Sequence, residues 1–210
     1  VLAGIPKTNY SLYHRVRFLV GDPTAFIQLV GTDNDHSMFI CRDIELQRAA
    51  EHARADRVSC PASHPPVAGL SGDRETATAQ ATAQYLVNHG INEITTDRSL
   101  PYIFAYYIEQ AGITIHYSPT LGVMERRAKD EQEIEWLQAA QKTTEAAMQL
   151  ACELIAKANA DKDGHLLYEG EILTSEILRS IVDVFLLERD YSNPRSIIAC
   201  GPTGADCHND

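Results

Sequence analysis

The sequence contains no apolar stretch that approaches the ~20 residues needed to cross a bilayer. Its first residues also lack the basic segment followed by an apolar one that marks a secretion signal. Basic residues are scarce, since 18 Lys and Arg stand against 29 Asp and Glu, and the formal net charge is -11. Because phosphate neutralisation needs clustered Lys and Arg, this composition argues against a broad nucleic-acid interface. We therefore expect neither a membrane nor nucleic acid among the partners.

Cysteine is sparse, and its number is odd. The cysteines are scattered and do not form the dense, even framework of a small secreted domain. They are Cys41, Cys60, Cys152, Cys200 and Cys207. We expect reduced thiols in a cytoplasmic protein. The remaining composition, 44% hydrophobic and 22% charged over 210 residues, is that of a globular protein with one large core or two smaller ones.

Short apolar runs alternate with helical segments through residues 1–124. The runs are rich in β-branched and aromatic residues, which favours strands. Gly90 and Gly112 stand where left-handed caps would end two of the helices. Strands are predicted at 25–30, 37–40, 93–96 and 113–117, and helices at 45–53, 76–89 and 101–111. This alternation predicts an α/β domain with a mixed sheet over residues 1–124.

A second region, residues 125–210, opens with a helix start. Asp130 and Glu133 have the spacing of a capping box, and the apolar stripe that follows predicts a helix to about residue 155. A second helix is predicted at 174–188 and a buried strand at 196–200. Because the chain begins at Val1 and ends in a polar stretch, we expect a fragment of a longer protein. We also expect the apolar helix faces of such a fragment to cause self-association.

The segment that begins at Asn159 resembles part of a calcium-binding loop. It places Asn159, Asp161, Asp163 and Gly164 at positions one, three, five and six of such a loop. Position twelve, however, is Gly170, whereas a calcium loop has a bidentate glutamate there. The pattern therefore favours a polar loop between two helices, with Gly164 in a turn.

The last eleven residues contain further candidate patterns. The small-residue segment 201–204 is not followed by the Gly-Lys-Ser/Thr of a phosphate-binding loop, which excludes that function. Cys200, Cys207 and His208 are too few and too widely spaced for a structural zinc site. Cys207 and His208 are adjacent, so on a strand they would face opposite ways and could not form a nucleophile pair. On composition alone, His208 is either a surface residue or a catalytic one.

Four segments of the second region follow the order of motifs in a known family. They are Arg126–Ala140, Leu173–Ile177, Ser196–Gly201 and His208. In order and character they resemble the creatinase, prolidase and Xaa-Pro aminopeptidase family. There, an Arg-x-x-Lys-x-x-x-Glu-Ile-like segment leads into a long helix, a Thr-Glu-like segment starts the next, and a strand leads to a Pro-His-like segment. The first region also resembles the α/β domain that precedes the family's catalytic domain.

The resemblance implies a metal-dependent Xaa-Pro peptidase whose catalytic domain has the pita-bread fold. In that family two divalent ions, manganese, cobalt or zinc, activate a water that attacks the peptide bond before proline. The resemblance makes His208 a catalytic residue that hydrogen-bonds the substrate or the tetrahedral intermediate without binding metal. The family's metal ligands follow this histidine, so residues 125–210 would be an incomplete catalytic domain, inactive alone. A proline-containing peptide substrate and a homo-dimer or higher homo-oligomer are also implied.

The sequence departs from the family pattern next to this histidine. Cys207 stands where proline commonly precedes the histidine, and Pro202-Thr203 replace the usual residue and asparagine. Three alternatives therefore stay open. The parent protein could be a metal-independent, creatinase-like amidinohydrolase, or a non-catalytic assembly or gating module. The chain could also have an unrelated α/β fold with chance similarity.

Overall fold

A computed structural model of the chain describes residues 1–31, 35–194 and 196–206. The chain divides into two compact units, Val1–Ala128 and Lys129–Asp210. None of the helices in the described ranges combines the length and the apolar character that a bilayer span requires.

The first unit is built on a four-stranded mixed sheet in the order β1-β2-β3-β4. Strands β1, β2 and β3 pair antiparallel, and β4 is parallel to β3. Their bounds are β1 (Leu2–Gly4), β2 (Thr24–Leu29), β3 (His36–Ile40) and β4 (Arg57–Ser59). The central strands β2 and β3 are almost entirely buried. Burial on both faces explains why their sequences are mostly continuous apolar runs and do not alternate between apolar and polar residues.

Helices cover both faces of this sheet. Successive strand residues point to opposite faces, so Ile27 packs in one apolar core while Phe26 packs in the other. The first core contains residues of α3 and α4, and the second contains residues of α1 and α2. The helices of the unit are α1 (Tyr10–Val16), α2 (Leu46–His52), α3 (Arg74–Asn88), α4 (Tyr102–Gln110) and α5 (Met124–Arg127). The predicted α/β class with a mixed sheet is confirmed.

A pair of parallel strands, β5 (Glu93–Thr96) and β6 (Thr114–Tyr117), completes the first unit. Parallel strands need a crossover connection, and α4 supplies it. Gly90 and Gly112 follow α3 and α4 with φ of 67° and 79°, in the left-handed region where residues with a side chain are disfavoured. The predicted helix ends are therefore confirmed.

Gly122 lies in the connection between β6 and α5, at φ 68° and in close contact with α1. A Cβ atom added here would lie 2.8 Å from Cβ of Ser11, whereas one added at Gly112 would meet nothing within 4 Å. Both Gly122→Ala and Gly112→Ala place alanine in the left-handed region, which costs about 1–2 kcal/mol of conformational free energy. We expect Gly122→Ala to lower the free energy of unfolding by ~1–3 kcal/mol more than Gly112→Ala does, because only the Gly122 substitution forces Ser11 to move. Urea unfolding of the two variants measures this difference, and equal losses would contradict it.

The second unit begins with the predicted long helix. This helix, α6 (Glu131–Lys157), starts at a capping box in which Asp130 accepts from the Glu133 backbone and Glu133 accepts from the Asp130 backbone. A second helix, α7 (Ser175–Leu187), is capped by Thr174. Both helices confirm the predicted elements to within two residues.

Two predictions for the second unit are wrong. The polar loop predicted between its helices contains a three-stranded antiparallel sheet of β7 (Asn159–Ala160), β8 (Leu166–Tyr168) and β9 (Glu171–Ile172). Residues 196–200 form no strand, and Ile197 is 59% exposed. The carbonyl groups of Ser196 and Ile198 accept hydrogen bonds from the Arg179 side chain.

Candidate functional site

The predicted catalytic residue, His208, lies outside the described residues, as does Cys207 beside it. The structure describes the chain up to Asp206. Residues Gly201–Ala205 form a 3-10 turn after Cys200, and the Thr203 hydroxyl donates a hydrogen bond of 2.6 Å to the Cys200 carbonyl. The small-residue segment predicted from sequence is therefore a short helical turn that leads toward His208.

Helix α7 holds the segment that precedes this turn. The Arg179 guanidinium donates from Nε to the Ser196 carbonyl at 3.0 Å and from Nη2 to the Ile198 carbonyl at 3.4 Å. Asn193 adds a second link, since its Nδ2 donates to Asp183 of α7 at 2.8 Å and to the Ser196 hydroxyl at 2.6 Å. The guanidinium thus binds two carbonyl groups of the segment that was predicted to be a strand.

The four described cysteines are free thiols. Cys200 is exposed, and Cys41 is buried in the second core of the first unit. Burial raises the pKa of the Cys41 thiol to about 12, and the negative charge of Glu45 is the second cause of this rise. Cys41 therefore stays protonated at neutral pH and is a poor nucleophile.

One group of side chains with metal-ligating atoms occurs within the described residues. It consists of Asp161, Asp163 and His165 in the turn between β7 and β8, with ligand atoms within 4.8 Å of one another. Asp161 already accepts from the backbone N–H groups of residues 163 and 165 and contacts the His165 ring at 3.2 Å. These hydrogen bonds lower the pKa of the Asp161 carboxyl.

This turn fits neither the calcium loop nor the two-metal centre that the sequence analysis considers. At position twelve of the calcium pattern, Gly170 has φ 90° and supplies no carboxylate. The ligands of the two-metal centre implied by the resemblance are expected after His208, whereas this group of three exposed or half-exposed side chains precedes it. Within the described ranges the turn is best explained by its own hydrogen bonds, with Gly164 at φ 87°. We assign no step of a reaction to metal held by these residues.

A cluster of histidines around Tyr85 of α3 was missed by the sequence reasoning. His36 of β3 shares a 2.8 Å hydrogen bond with the Tyr85 hydroxyl, and the ring centroids of Tyr85 and His89 lie 4.1 Å apart. His64 packs edge-on against Tyr85 at 5.1 Å and shares a 2.8 Å hydrogen bond with Ser59. These residues are up to 53 positions apart, from His36 to His89, so no local sequence pattern could reveal the cluster.

Burial lowers the pKa of His64 below its ordinary value of 6.5, and the charge of nearby His89 is the second cause. The unfolded state therefore binds the proton first as the pH falls below about 6.5. We expect the free energy of unfolding to decrease from pH 7 toward pH 5, and the decrease to level off below the folded-state pKa. Urea unfolding at several pH values measures this trend. It should be weaker in His64→Gln and unchanged in His52→Gln, which alters an exposed histidine of α2; an equal trend in all three proteins would contradict it.

No family model matches the chain, and no curated protein matches it. Solved structures match it well. The prolidase from Pyrococcus horikoshii OT3 shares 15% identity at a TM-score of 0.59, covering 90% of this chain and 43% of the prolidase. The Xaa-Pro dipeptidase from Bacillus anthracis shares 16% identity at a TM-score of 0.62, with the same coverage. The X-Pro aminopeptidase from Thermotoga maritima MSB8 shares 13% identity at a TM-score of 0.59, covering 89% of this chain and 46% of that protein.

These matches concern the fold. The structural neighbours are prolidases, an Xaa-Pro dipeptidase and an X-Pro aminopeptidase, and the matched part of their chains is N-terminal. The predicted resemblance is therefore confirmed at the level of the fold. The chain spans less than half the length of each of these structures.

Proposed function

We propose that this chain is the N-terminal part of a metal-dependent Xaa-Pro peptidase, of the aminopeptidase P or prolidase type, that hydrolyses the peptide bond before proline. One observation supports this most strongly: about 90% of the chain shares its fold with proteins described as a prolidase, an Xaa-Pro dipeptidase and an X-Pro aminopeptidase. Their names have the proline-specific reaction in common, although their identities to this chain are only 13–16%.

The two units would have different roles in this peptidase. Residues 1–128 would form a non-catalytic α/β domain, and residues 129–210 would begin the pita-bread catalytic domain. His208 would donate a hydrogen bond to the substrate carbonyl oxygen as negative charge develops on it. Arg179 and Asn193 would support this role, because they bind Ser196, which precedes His208 in the chain, to α7.

The metal would be held by residues that this chain does not contain. Two divalent ions, manganese, cobalt or zinc, would lower the pKa of the attacking water. The 210 residues alone would then be inactive. A cytoplasmic homo-oligomer acting on proline-containing peptides completes the proposal.

The test uses the full-length gene product, purified, freed of metal with a chelator and then supplied with manganese. We expect it to cleave an Xaa-Pro dipeptide or an Xaa-Pro-Xaa tripeptide, and to lose this activity when the chelator is added again. A preference for the dipeptide indicates the prolidase type, and a preference for the tripeptide indicates the aminopeptidase type.

Two other outcomes would contradict the proposal. Hydrolysis of creatine by the metal-free protein, without peptide cleavage, would indicate an amidinohydrolase. No turnover of peptide or creatine with any of the three metals would indicate a non-catalytic assembly module.

A further inference from the structure

A cavity of about 250 Å³ lies in the first unit, at the end of the sheet where β3 and β4 finish. These two strands are parallel, so the segments that leave their carboxyl ends lie side by side. Arg42 follows β3 and Cys60 follows β4, and the first turns of α3 close the opposite side. In open α/β sheets the carboxyl ends of strands are a common place for ligands.

The cavity combines an apolar wall with charged groups. Its apolar lining residues are Pro23, Cys60, Pro61, Ala62, Leu70 and Ala77. The charged residues are Asp22, Arg42, Asp43 and Arg74, and their charges sum to zero. Such a lining, mostly apolar with a few polar groups that fix orientation, is typical of small-molecule sites. The volume lies just below the usual range of about 300–1,000 Å³, which indicates a small ligand.

The two arginines retain unused hydrogen-bonding capacity. Nη1 of Arg42 lies 3.4 Å from one carboxylate oxygen of Asp22, and Nη1 of Arg74 lies 3.4 Å from the other. Charge-assisted N–H···O bonds are usually about 2.7–2.9 Å long, and a guanidinium can bind a carboxylate through two nitrogens. Each arginine here uses one nitrogen at long range, and no further acceptor contacts either guanidinium in the ranges that the structure describes.

Among the described residues, one carboxylate contacts both arginines of the cavity. Asp22 is half-buried and supplies one negative charge to two guanidinium groups. Asp43 also lines the cavity, but it contacts neither guanidinium group. A single bound carboxylate would pair the second guanidinium charge at close range, whereas a polyanion would add negative charge that has no partner in this lining.

We propose that this cavity binds a small monocarboxylate with an apolar body. The carboxylate contacts Arg42 and Arg74, and the body packs against Pro23, Leu70 and Ala77. This proposal goes beyond the proposed peptidase function, and the residues that line the cavity all belong to the first unit.

The test measures binding of 4-methylpentanoate to the chain by isothermal titration calorimetry or ligand-observed NMR, with no peptide substrate present. We expect saturable binding of this acid and at least tenfold weaker binding of 3-methylbutylamine, which has a similar body and the opposite charge. Arg42→Gln and Arg74→Gln should each raise the Kd at least tenfold. Arg98→Gln, which alters an exposed arginine outside the cavity, should leave it unchanged.

A second variant tests whether the ligand needs the volume of the cavity, independently of the charge of the arginines. Ala62 lines the cavity and is exposed, so Ala62→Phe can fill the cavity without disturbing a core. It should raise the Kd at least tenfold with both arginines in place. Because the Arg74 side chain is 65% exposed, Arg74→Gln is the safer charge variant if Arg42→Gln unfolds. No binding of the acid, equal binding of the amine, or an unchanged Kd in both Arg74→Gln and Ala62→Phe would overturn the proposal.

Discussion

Replacing His208 with alanine in the full-length protein should lower kcat for an Xaa-Pro substrate by about 10²–10³-fold. A hydrogen bond aimed at an oxygen that becomes negative stabilises the transition state more than the ground state, and removal of one such donor has an effect of this size. Steady-state kinetics with excess manganese measures the change. Because the proposed role of His208 is not that of a metal ligand, the metal content of the purified variant should equal that of the wild type.

His165→Ala is a suitable control for this experiment. His165 is an exposed histidine of the same unit, in the turn between β7 and β8, where it contacts Asp161. Its replacement should leave kcat within about twofold of the wild type. Unchanged turnover in His208→Ala would remove this residue from the mechanism. A loss of metal that parallels the loss of activity would instead make it a ligand.

Replacing Phe39 with alanine should lower the free energy of unfolding by about 3–5 kcal/mol. Phe39 is fully buried in β3 and packs edge-on against Phe18, with the ring centroids 5.7 Å apart. The Arg48 guanidinium covers the Phe18 ring at 4.0 Å from its centroid. The substitution therefore leaves a cavity in the second core and removes an aromatic pair worth about 0.5–1.5 kcal/mol beyond its buried area.

Urea unfolding, followed by far-ultraviolet circular dichroism, measures this loss. Val67→Ala is the control, because Val67 is fully exposed in a loop and its truncation should change stability by no more than about 0.5 kcal/mol. A loss below about 1 kcal/mol in Phe39→Ala would contradict the described packing of β3 between two helical layers.

The elements that the sequence predicted well have local causes. The start of α6 depends on the side chains of Asp130 and Glu133, and the ends of α3 and α4 depend on Gly90 and Gly112. These signals act over three or four residues, so they can be recognised without knowing the rest of the fold. Strands β2 and β3 were predictable because burial on both faces demands a continuous apolar run.

Several strands that the sequence did not predict depend on partners outside their own short segments. Strands β1, β4 and β7 to β9 are only two or three residues long, so no hydrophobic period can appear in them. Residues 196–200 have the composition of a strand, yet Arg179 binds two of their carbonyl groups. The partner of Ser196 in this contact lies 17 positions earlier in the chain, so local propensity does not reveal it.

The candidate sites show the same limit. The role predicted for His208 came from the resemblance to a family and from no local pattern, and it stays a prediction. The cavity near Arg42 joins segments between residues 22 and 78, and the cluster around Tyr85 joins segments between residues 36 and 89. Only the folded sheet brings these side chains together.

The most direct measurement of the proposed function is the ratio of kcat/KM for a dipeptide Xaa-Pro to that for the matching Xaa-Ala. It is made on the full-length protein with manganese. An Xaa-Pro peptidase must recognise the proline ring in the transition state, so we expect a ratio of at least about 100. A ratio near one, or cleavage of neither peptide, would contradict the assignment of this chain to an Xaa-Pro peptidase.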